Sequence, residues 1–324
     1  MLPPGPGPHL ASPVTRNVLT VQHEMLTATR MFLRDNGFTE LLAPVIGPVT
    51  DPGARGSKQV DVDYYGHRYK LMTSAILYKQ ASLRAFDRIC YIAPNVRLEP
   101  LETANTSRHL AEFHQIDVEQ AGACRDDILD LLEGLVTEVV ERVVATCGNE
   151  LAALSRDVDA LREVPKQAFV RMTHAEAVAT LHELGHPQNP DGEIDWQAEV
   201  LLSDHVGRPC FVTDYPKGSR GFYDRENVEE PGMLRNFDLI LPEGYGELSS
   251  GGEREFEYPR IITRMRETGE NPAKYGWYLE LAREGIPASA GFGIGVERFT
   301  RYLCGLDSVW RASAYPKVPG VVGP

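Results

Sequence analysis

Apolar residues recur at helical spacing in two long stretches of the chain. From Asp126 to Cys147 an apolar side chain stands at every third or fourth position, and Gly148 follows where such a helix would end. The same spacing predicts a helix over residues 17–36, which ends at Gly37. Each pattern has one apolar face, so both helices are expected to pack against a core.

Short apolar runs that alternate with polar positions predict strands between and after these helices. Residues 88–99 and 111–120 have this period of two, which is typical of adjacent antiparallel strands, and a long polar loop joins them. Further strands are predicted at residues 210–215, 236–241 and 289–295, and the last of them runs into a helix. Helices and strands without an internal repeat predict an α+β fold.

The chain is long enough to bury one large core. It has 324 residues, of which 42% are hydrophobic and 24% charged, as is ordinary for globular proteins. Residues 17–324 are assigned to one domain, with an insertion at residues 149–208. Residues 1–16 begin with a Pro- and Gly-rich stretch and are predicted to form a flexible tail.

Charge and cysteine usage narrow the class of protein. The chain has 33 Lys and Arg against 46 Asp and Glu, and this net charge of −13 argues against tight binding to nucleic acids or anionic membranes. The five cysteines are widely spaced and lack a CxxC pair, so neither a disulfide framework nor a zinc site is expected. No signal peptide and no run of about 18 apolar residues is present. A soluble, cytoplasmic protein is therefore expected.

The segments around residues 97 and 113 carry the first candidate chemistry. Arg97 and Glu99 are two positions apart in a predicted strand, so their side chains project from the same face. Such a pair alone is more often a surface ion pair. Arg108, His109 and Phe113 follow at the turn and at the start of the returning strand. Two arginines and an aromatic ring can form a nucleotide site, where the cations neutralise phosphate and the ring stacks on a base.

The segment NVRLEP followed by TSRHLAEF resembles motif 2 of class II aminoacyl-tRNA synthetases, most closely the aspartyl and asparaginyl subgroup. The resemblance implies an antiparallel β-sheet flanked by helices and an ATP site. In that family the first arginine holds the α-phosphate, the loop arginine and histidine contact the outer phosphates, and the phenylalanine stacks on adenine. It therefore implies an ATP-binding role for Arg97, Glu99, Arg108, His109, Leu110 and Phe113.

A glycine-rich strand near the end of the chain is the second sign of this family. Gly291, Gly293 and Gly295 alternate along the strand, so another group can approach the backbone closely. A dinucleotide-binding loop is the usual alternative, but neither a βαβ unit nor an acidic residue follows at the required distance. The segment GFGIGVERF resembles motif 3, which implies that Arg298 contacts the γ-phosphate or the adenine. The segment FLRDNGFTELLAP, which ends at Pro44, is similar to motif 1 and implies a homodimer.

Two carboxylates and an arginine lie between these motifs. Asp238 and Glu247 stand close in the sequence, and carboxylates near a triphosphate are expected to hold Mg²⁺, with solvated charge on a turn as the alternative. Arg254 follows Glu247 at the spacing of the aspartyl subgroup, where the arginine binds the side-chain carboxylate of aspartate. Asp214, in a segment that lines the amino-acid pocket of relatives, is a further candidate for substrate binding.

The segments TSAILYKQ and HQIDVE resemble the rest of an aspartate pocket. The resemblance assigns Lys79 to the side-chain carboxylate and Asp117 to the α-ammonium group, beside Ser74 and Gln115. One position departs from the pattern, because aspartyl synthetases carry glutamine where this chain has Ile76. The recognition of the α-amino group is therefore expected to differ.

The spacing from Ser74 to Lys79 is also that of ammonia-dependent asparagine synthetase, which shares the class II core, and Asp51 supplies an acid where that enzyme has one. The similarity covers residues 17–320, is weakest at 149–208, and looks closest to truncated archaeal-type relatives of that enzyme. Aspartyl and asparaginyl synthetases have an anticodon-binding barrel ahead of motif 1, and the residues before the first predicted helix are too few to form one. No anticodon-binding domain is therefore expected, and tRNA is not expected as a partner.

These observations predict an AMP-forming ligase that uses ATP and Mg²⁺ to activate aspartate as its adenylate and passes it to ammonia, giving asparagine. Arg97 is expected to stabilise the α-phosphate, and Asp51 or Gln115 to position the nitrogen. Two alternatives stay open. The same adenylate could pass its acyl group to another amine, a small molecule or tRNA. An inactive synthetase-like binding module is the other, although such a module would be expected to lose its charged site residues.

Overall fold

An eight-stranded β-sheet forms the centre of the protein, whose computed structural model describes residues 3–52 and 57–322. The strands, in chain order, are β1 (Thr39–Glu40), β2 (Ile46–Gly47), β3 (Asp61–Tyr64), β4 (His67–Leu71), β5 (Arg88–Val96), β6 (Glu112–Ala121), β7 (Val170–Thr173), β8 (Cys210–Thr213), β9 (Asn236–Leu241), β10 (Gly246–Glu253) and β11 (Ser289–Gly295).

The strand order across this sheet is β1-β5-β6-β11-β10-β9-β8-β7. Neighbours are antiparallel from β5 across to β8, and the outer pairs, β1 with β5 and β7 with β8, are parallel. The predicted antiparallel pairing of the segments at 88–99 and 111–120 is confirmed by β5 and β6. A second sheet in the described part of the chain has the order β2-β4-β3.

Helices flank the large sheet, so the predicted α+β class is confirmed. They are α1 (Pro6–Leu10), α2 (Pro13–Asp35), α3 (Ile76–Ser82), α4 (Arg125–Thr146), α5 (Gly148–Ala153), α6 (Val158–Glu163), α7 (His174–Glu183), α8 (Trp196–Val206), α9 (Tyr258–Glu267), α10 (Gly276–Glu284) and α11 (Val296–Cys304). None of the helices within residues 3–52 and 57–322 has the length and apolar character that a bilayer span requires.

The two largest of five hydrophobic clusters in the described residues hold these layers together. The predicted long helix is α4, and its apolar side chains pack with those of α2 against one face of β6 and β11. A second core joins α3, α9 and α10. The insertion at 149–208 contains α5 to α8 and β7, and its strand β7 extends the sheet beside β8.

The start of the chain is folded where the sequence predicts a flexible tail. Helix α1 begins at Pro6 and α2 begins at Pro13, about one turn before its predicted start, because proline fits the first turn of a helix. His9 is buried, its Nε2 donates to the carbonyl oxygen of Ser313 (2.9 Å), and its Nδ1 accepts from Thr15. Ser313 lies 304 residues away, so no local pattern predicts this contact.

Candidate active site

A cavity of about 320 Å³ lies on the sheet and is the main candidate site. Its volume is in the range of small-ligand pockets. Strands β6, β9 and β10 and helices α3 and α8 contribute side chains to its wall, and β11 contributes the backbone of Gly293 and Gly295. The predicted site residues that line it are Asp51, Ser74, Lys79, Arg97, Glu99, Arg108, His109, Leu110, Phe113, Gln115, Asp117, Asp238, Glu247, Arg254 and Arg298.

The floor of the cavity depends on the pairing of β6 with β11. Alternate side chains of β6 stand on one face, and the glycines of β11 lie opposite them. The paired residues are Gln115 with Gly295, Asp117 with Gly293, and Glu119 with Gly291. A Cβ atom on Gly293 would lie 3.1 Å from both Asp117 Oδ1 and Gln115 Nε2. The glycines therefore leave the space in which these polar side chains face the cavity.

Lys79 forms one half of a buried charge cluster at this floor. Its Nζ atom is 3.0 Å from Asp117 Oδ1 and 3.7 Å from Glu119 Oε2, and it donates to the carbonyl oxygen of Phe292 (3.1 Å). Buried charges need such partners, because their desolvation is costly. The second oxygen of Asp117, Oδ2, is buried and has no hydrogen-bond partner among the described residues. It is therefore an acceptor available to a ligand.

Arg254 forms the other half of the cluster. Its Nε donates to Glu119 Oε1 (3.1 Å), and its Nη1 donates to Asp224 Oδ1 (3.4 Å). Burial raises the pKa of Asp224 to about 6, although the nearby positive charge of Arg254 opposes this shift. The two cations predicted to bind a substrate carboxylate, Lys79 and Arg254, are therefore already paired within the protein.

The other end of the cavity is rich in arginine. Arg97 Nε donates to the carbonyl oxygen of Thr73 (3.0 Å), and its guanidinium group lies over the ring of Phe113, 5.2 Å from the centroid. Arg108 is buried and its Nη2 lies 2.7 Å from Glu199 Oε2, while its Nε and Nη1 lack a hydrogen-bond partner in the described chain. Unused N–H donors on a cation suit an anionic ligand such as phosphate.

The two predicted metal ligands have different surroundings. Arg220 holds Asp238, because its Nη1 donates to Oδ1 (3.1 Å) and its Nη2 donates to Oδ2 (2.5 Å). Both oxygens of Asp238 thus already accept a hydrogen bond within the protein, and its role as a metal ligand stays a prediction. Glu247 Oε2 lies 3.4 Å from Arg298 Nη1, and the backbone N–H of Glu247 donates to Glu199 Oε2. Across residues 3–52 and 57–322, no group of three or more His, Cys, Asp or Glu side chains has the arrangement of a metal site.

Asp214 does not line the cavity, contrary to the prediction that it binds substrate. Its backbone is in the left-handed region (φ +60°). Its carboxylate pairs with Arg125 at the start of α4 and accepts from Thr213 Oγ1 (2.7 Å). These contacts commit the side chain to the start of α4, and the backbone conformation that permits them cannot be predicted from the residue types.

The cavity also contains side chains that the sequence analysis missed. They are Glu193, Ile194, Glu199, Arg220, Tyr223 and Asp224, and Glu119 pairs with the lining residue Arg254. Glu193 and Glu199 belong to the insertion, where the resemblance is weakest, so motif comparison could not assign them. Glu119 had a usable signal, because it follows Asp117 by two positions and shares its strand face.

Comparison with known proteins decides the family. The family described as tRNA synthetases class II (D, K and N) matches residues 8–319. The chain belongs to this family. It is 33% identical to the asparagine–tRNA ligase of Lactobacillus delbrueckii subsp. bulgaricus, over 93% of this chain and 68% of that protein. It is 32% identical to the asparagine–tRNA ligase of Thermococcus gammatolerans, over 98% of this chain and 72% of that protein.

The solved structures agree with this class II synthetase assignment. The fold matches asparaginyl-tRNA synthetase from Pyrococcus horikoshii complexed with asparaginyl-adenylate, with a TM-score of 0.92 and 29% identity, over 98% of this chain and 71% of that one. The asparaginyl-tRNA synthetase of Entamoeba histolytica matches with a TM-score of 0.86 and 26% identity, over 96% and 69%. The predicted class II core and its ATP-dependent, AMP-forming ligase class are therefore confirmed.

The predicted synthesis of asparagine from aspartate and ammonia is wrong. Relatives that match nearly the whole chain are asparagine–tRNA ligases rather than truncated asparagine synthetases. That prediction rested on a few pocket positions, on a likeness to truncated relatives and on the short stretch before the first predicted helix, whereas the similarity to tRNA ligases extends over 301 residues or more. The roles of Asp51 and Gln115 in positioning ammonia are withdrawn with it. Asp51 accepts a hydrogen bond from Tyr223, and Gln115 accepts one from Asn95, each at 2.8 Å.

The expectation that tRNA is not a partner is contradicted by the same relatives, which are tRNA ligases. The net charge of −13 is a sum over the whole chain, whereas the binding of one end of a nucleic acid depends on local charge. Cations can cluster locally in a chain of negative net charge, as Arg97, Arg108 and Arg298 do around one cavity of this synthetase core. The overall charge is therefore a poor test of nucleic-acid binding.

We expect Gly293→Ala to raise the KM for the amino acid by about tenfold or more. The added methyl group would press on Asp117 and Gln115, both 3.1 Å from its position, and displace them from the cavity floor. ATP–pyrophosphate exchange, which reports adenylate formation, measures the change. Gly295→Ala is the matched control, because its nearest neighbours are 3.5 Å away on the flexible Arg298 side chain. Equal KM values for the two variants would contradict this account of the floor.

His109 is expected to make folding sensitive to acid. Burial, together with the positive charges of Arg298 and Arg108, lowers the pKa of His109 from 6.5 to about 4. Between these pH values the unfolded chain binds a proton that the folded protein does not, so stability falls as the pH drops from about 6.5 to 4, by at most about 3 kcal/mol. Urea denaturation across this range should show a smaller loss for His109→Asn than for the wild type. If the stability of His109→Asn fell with pH as steeply as that of the wild type, His109 would not be the source of the acid sensitivity.

Proposed function

We propose that this chain activates asparagine with ATP as asparaginyl-adenylate and then transfers the asparaginyl group to tRNA. The observation that carries the proposal is a single cavity with a free buried acceptor, Asp117 Oδ2, and free guanidinium N–H groups on Arg108. These features suit the ammonium group of an amino acid and the phosphates of ATP. The similar synthetase of P. horikoshii is complexed with asparaginyl-adenylate, which supports the choice of amino acid.

In this proposal the amino acid lies over β6 and β11. Its α-ammonium group donates to Asp117 Oδ2, while Asp117 Oδ1 stays 3.0 Å from Lys79. Gln115 Oε1 accepts a hydrogen bond from Asn95, so Gln115 Nε2 is left to donate to the α-carboxylate. The side chain of the substrate then extends toward Arg254, which lines the same cavity.

The arginine-rich end takes the nucleotide. The α-carboxylate attacks the α-phosphorus in line, a new oxygen–phosphorus bond forms, and the bond to pyrophosphate breaks. Arg97 is oriented by two contacts, and its remaining N–H groups stabilise the charge that develops on the α-phosphate. Phe113 and Arg298 enclose the adenine in this arrangement, and Arg108 and His109 contact the outer phosphates.

Glu199 and Glu247 are the residues that would hold a magnesium ion with ATP. Burial raises the pKa of Glu199, and the nearby carboxylates of Glu247 and Asp238 raise it further, against the effect of Arg108. The two carboxylates lie close enough to raise the pKa of Glu199, and a shared cation would relieve that repulsion. A divalent ion bound there would screen the charge of the phosphates.

In the second step a hydroxyl group of the terminal ribose of tRNA attacks the carbonyl carbon of the adenylate. An ester bond forms and AMP leaves. ATP–pyrophosphate exchange with a panel of amino acids tests the first step, and acid-precipitable radioactive asparagine on tRNA tests the second. We expect asparagine to support both.

Periodate-oxidised tRNA is the matched control for transfer. Oxidation destroys the terminal ribose diol, so the transfer of asparagine should stop while pyrophosphate exchange continues. Silence with every amino acid would contradict the adenylate step. Exchange with asparagine but no transfer to intact tRNA would contradict tRNA as the acceptor.

The edge of the large sheet supports a homodimer as a further proposal. Strand β1 lies at this edge, and Leu42 and Val45 just after it are 97% and 54% exposed. Exposed apolar residues at a sheet edge favour association with another chain. We expect Leu42→Asp to convert dimer to monomer in sedimentation equilibrium, whereas Val228→Asp, at a position 62% exposed elsewhere, should not. A monomeric wild type would contradict the proposal.

A further inference from the structure

The floor of the amino-acid end holds more negative than positive charge. Lys79 and Arg254 face three carboxylates, those of Asp117, Glu119 and Asp224, and each of these five side chains is at most 8% exposed. Water therefore does little to screen them. In the proposed arrangement the α-ammonium group of the substrate pairs with Asp117 and balances the floor, so a side-chain carboxylate would add an unbalanced negative charge, whereas a neutral side chain would not.

Lys79 is already held by partners within the protein. Its Nζ lies 3.0 Å from Asp117 Oδ1 and 3.1 Å from the carbonyl oxygen of Phe292, which engage two of its three donors. Glu119 Oε2, at 3.7 Å, is beyond hydrogen-bond distance but adds a second buried negative charge. The charge of Lys79 is therefore shared by two carboxylates of the floor, and its present role is to balance them.

Arg254 and Asp224 instead present a donor and an acceptor side by side. Arg254 Nη1 lies 3.4 Å from Asp224 Oδ1, a long hydrogen bond, and both residues line the cavity. A carboxamide has a carbonyl oxygen that can accept from Arg254 and an NH₂ group that can donate to Asp224. An ionised carboxylate can only accept hydrogen bonds, so one of its oxygens would face Asp224 with no donor between the two.

We propose that Asp224 selects a carboxamide side chain over a carboxylate at this site. The inference rests on the proposed activation of an amino acid and names the residue that sets its side-chain class. Asp224 accepts from the substrate amide, Arg254 donates to it, and the carboxylate of aspartate is rejected by like charge.

The titration of Asp224 gives the selection a pH dependence. Burial raises the pKa of Asp224 to about 6, Asp51 adds to this, and the arginines lower it. The charged and titratable groups around it are Arg220 and Tyr223 in the same loop, Arg254 after β10, Arg264 on α9, Glu119 on β6, and Asp51 after β2. Protonation below about pH 6 removes the charge that repels aspartate, so the preference for asparagine should decline there.

Asp224→Asn tests the proposal because it keeps the shape of the side chain and removes the charge. The measurement is kcat/KM in ATP–pyrophosphate exchange, with asparagine and with aspartate, at about pH 7.5 and about pH 5.5. We expect the wild type to prefer asparagine, and Asp224→Asn to lose about tenfold or more of that preference at the higher pH. The preference of the wild type should fall at the lower pH, whereas that of the variant should not.

Asp214→Asn is the matched control, since Asp214 lies outside the cavity and asparagine tolerates its left-handed backbone. Its preference should equal that of the wild type. An unchanged ratio in Asp224→Asn overturns this inference alone, whereas silence of the wild type with both amino acids overturns the proposed function as well. If Asp224→Asn does not fold, Asp224→Ser and the pH profile of the wild type replace it. The inference is overturned if the wild-type preference for asparagine does not change with pH and Asp224→Ser has the same preference.

Discussion

Arg97→Ala is expected to lower ATP–pyrophosphate exchange by about 10²–10³-fold or more. Arg97 lies in the wall of the cavity with its Nε bound to the carbonyl oxygen of Thr73 and its plane over Phe113. These contacts fix the guanidinium group before the reaction, so its other N–H groups need no reorganisation as charge develops on the α-phosphate. Alanine removes both the charge and this orientation.

Two further variants show whether geometry or charge is responsible. Arg97→Lys keeps the charge but loses the planar fork, so it should recover part of the activity. Arg162→Ala removes an arginine that is 56% exposed and pairs with Asp159 on the surface, so exchange should stay at the wild-type level. Full exchange in Arg97→Ala would show that the α-phosphate lies elsewhere.

The strands that carry the site are the part of the fold that the sequence predicts best. The alternation at residues 88–99 and 111–120 reappears as β5 paired with β6. A strand has a period of two, so the sequence by itself places Gln115 and Asp117 on one face. The alternating glycines of β11 then lie opposite these residues in the same register.

Contacts between distant segments account for what the sequence did not predict. Glu119 meets Arg254 across 135 residues, and Arg108 meets Glu199 from the insertion, so no local period contains either pair. The left-handed backbone of Asp214 is equally invisible in the residue types. The prediction of ammonia as the acceptor of the acyl group was wrong for another reason. The recognised motifs describe the ATP site, and members of one family can share that site while they use different acceptors.

Glu119→Ala is expected to lower the free energy of unfolding by about 3–5 kcal/mol, measured by urea denaturation. Glu119 is fully buried, its Oε1 accepts from Arg254 (3.1 Å) and Ser289 (2.8 Å), and its Oε2 lies 3.7 Å from Lys79. Its removal takes from Arg254 the carboxylate that accepts from its Nε and Nη2, and from Lys79 a nearby negative charge. The same loss should disturb the floor on which the substrate lies, so pyrophosphate exchange should fall as well.

Glu119→Gln separates the charge from the packing. Glutamine keeps the volume and can still accept from Ser289, but it cannot balance Arg254, so most of the destabilisation should remain. Glu163→Ala is the control, because Glu163 is 61% exposed and its pair with Lys166 is a surface contact that contributes little. If Glu119→Gln matched the wild type while Glu119→Ala did not, packing alone would hold the cluster. The charge balance on which side-chain selection rests would then have to come from other carboxylates at the floor.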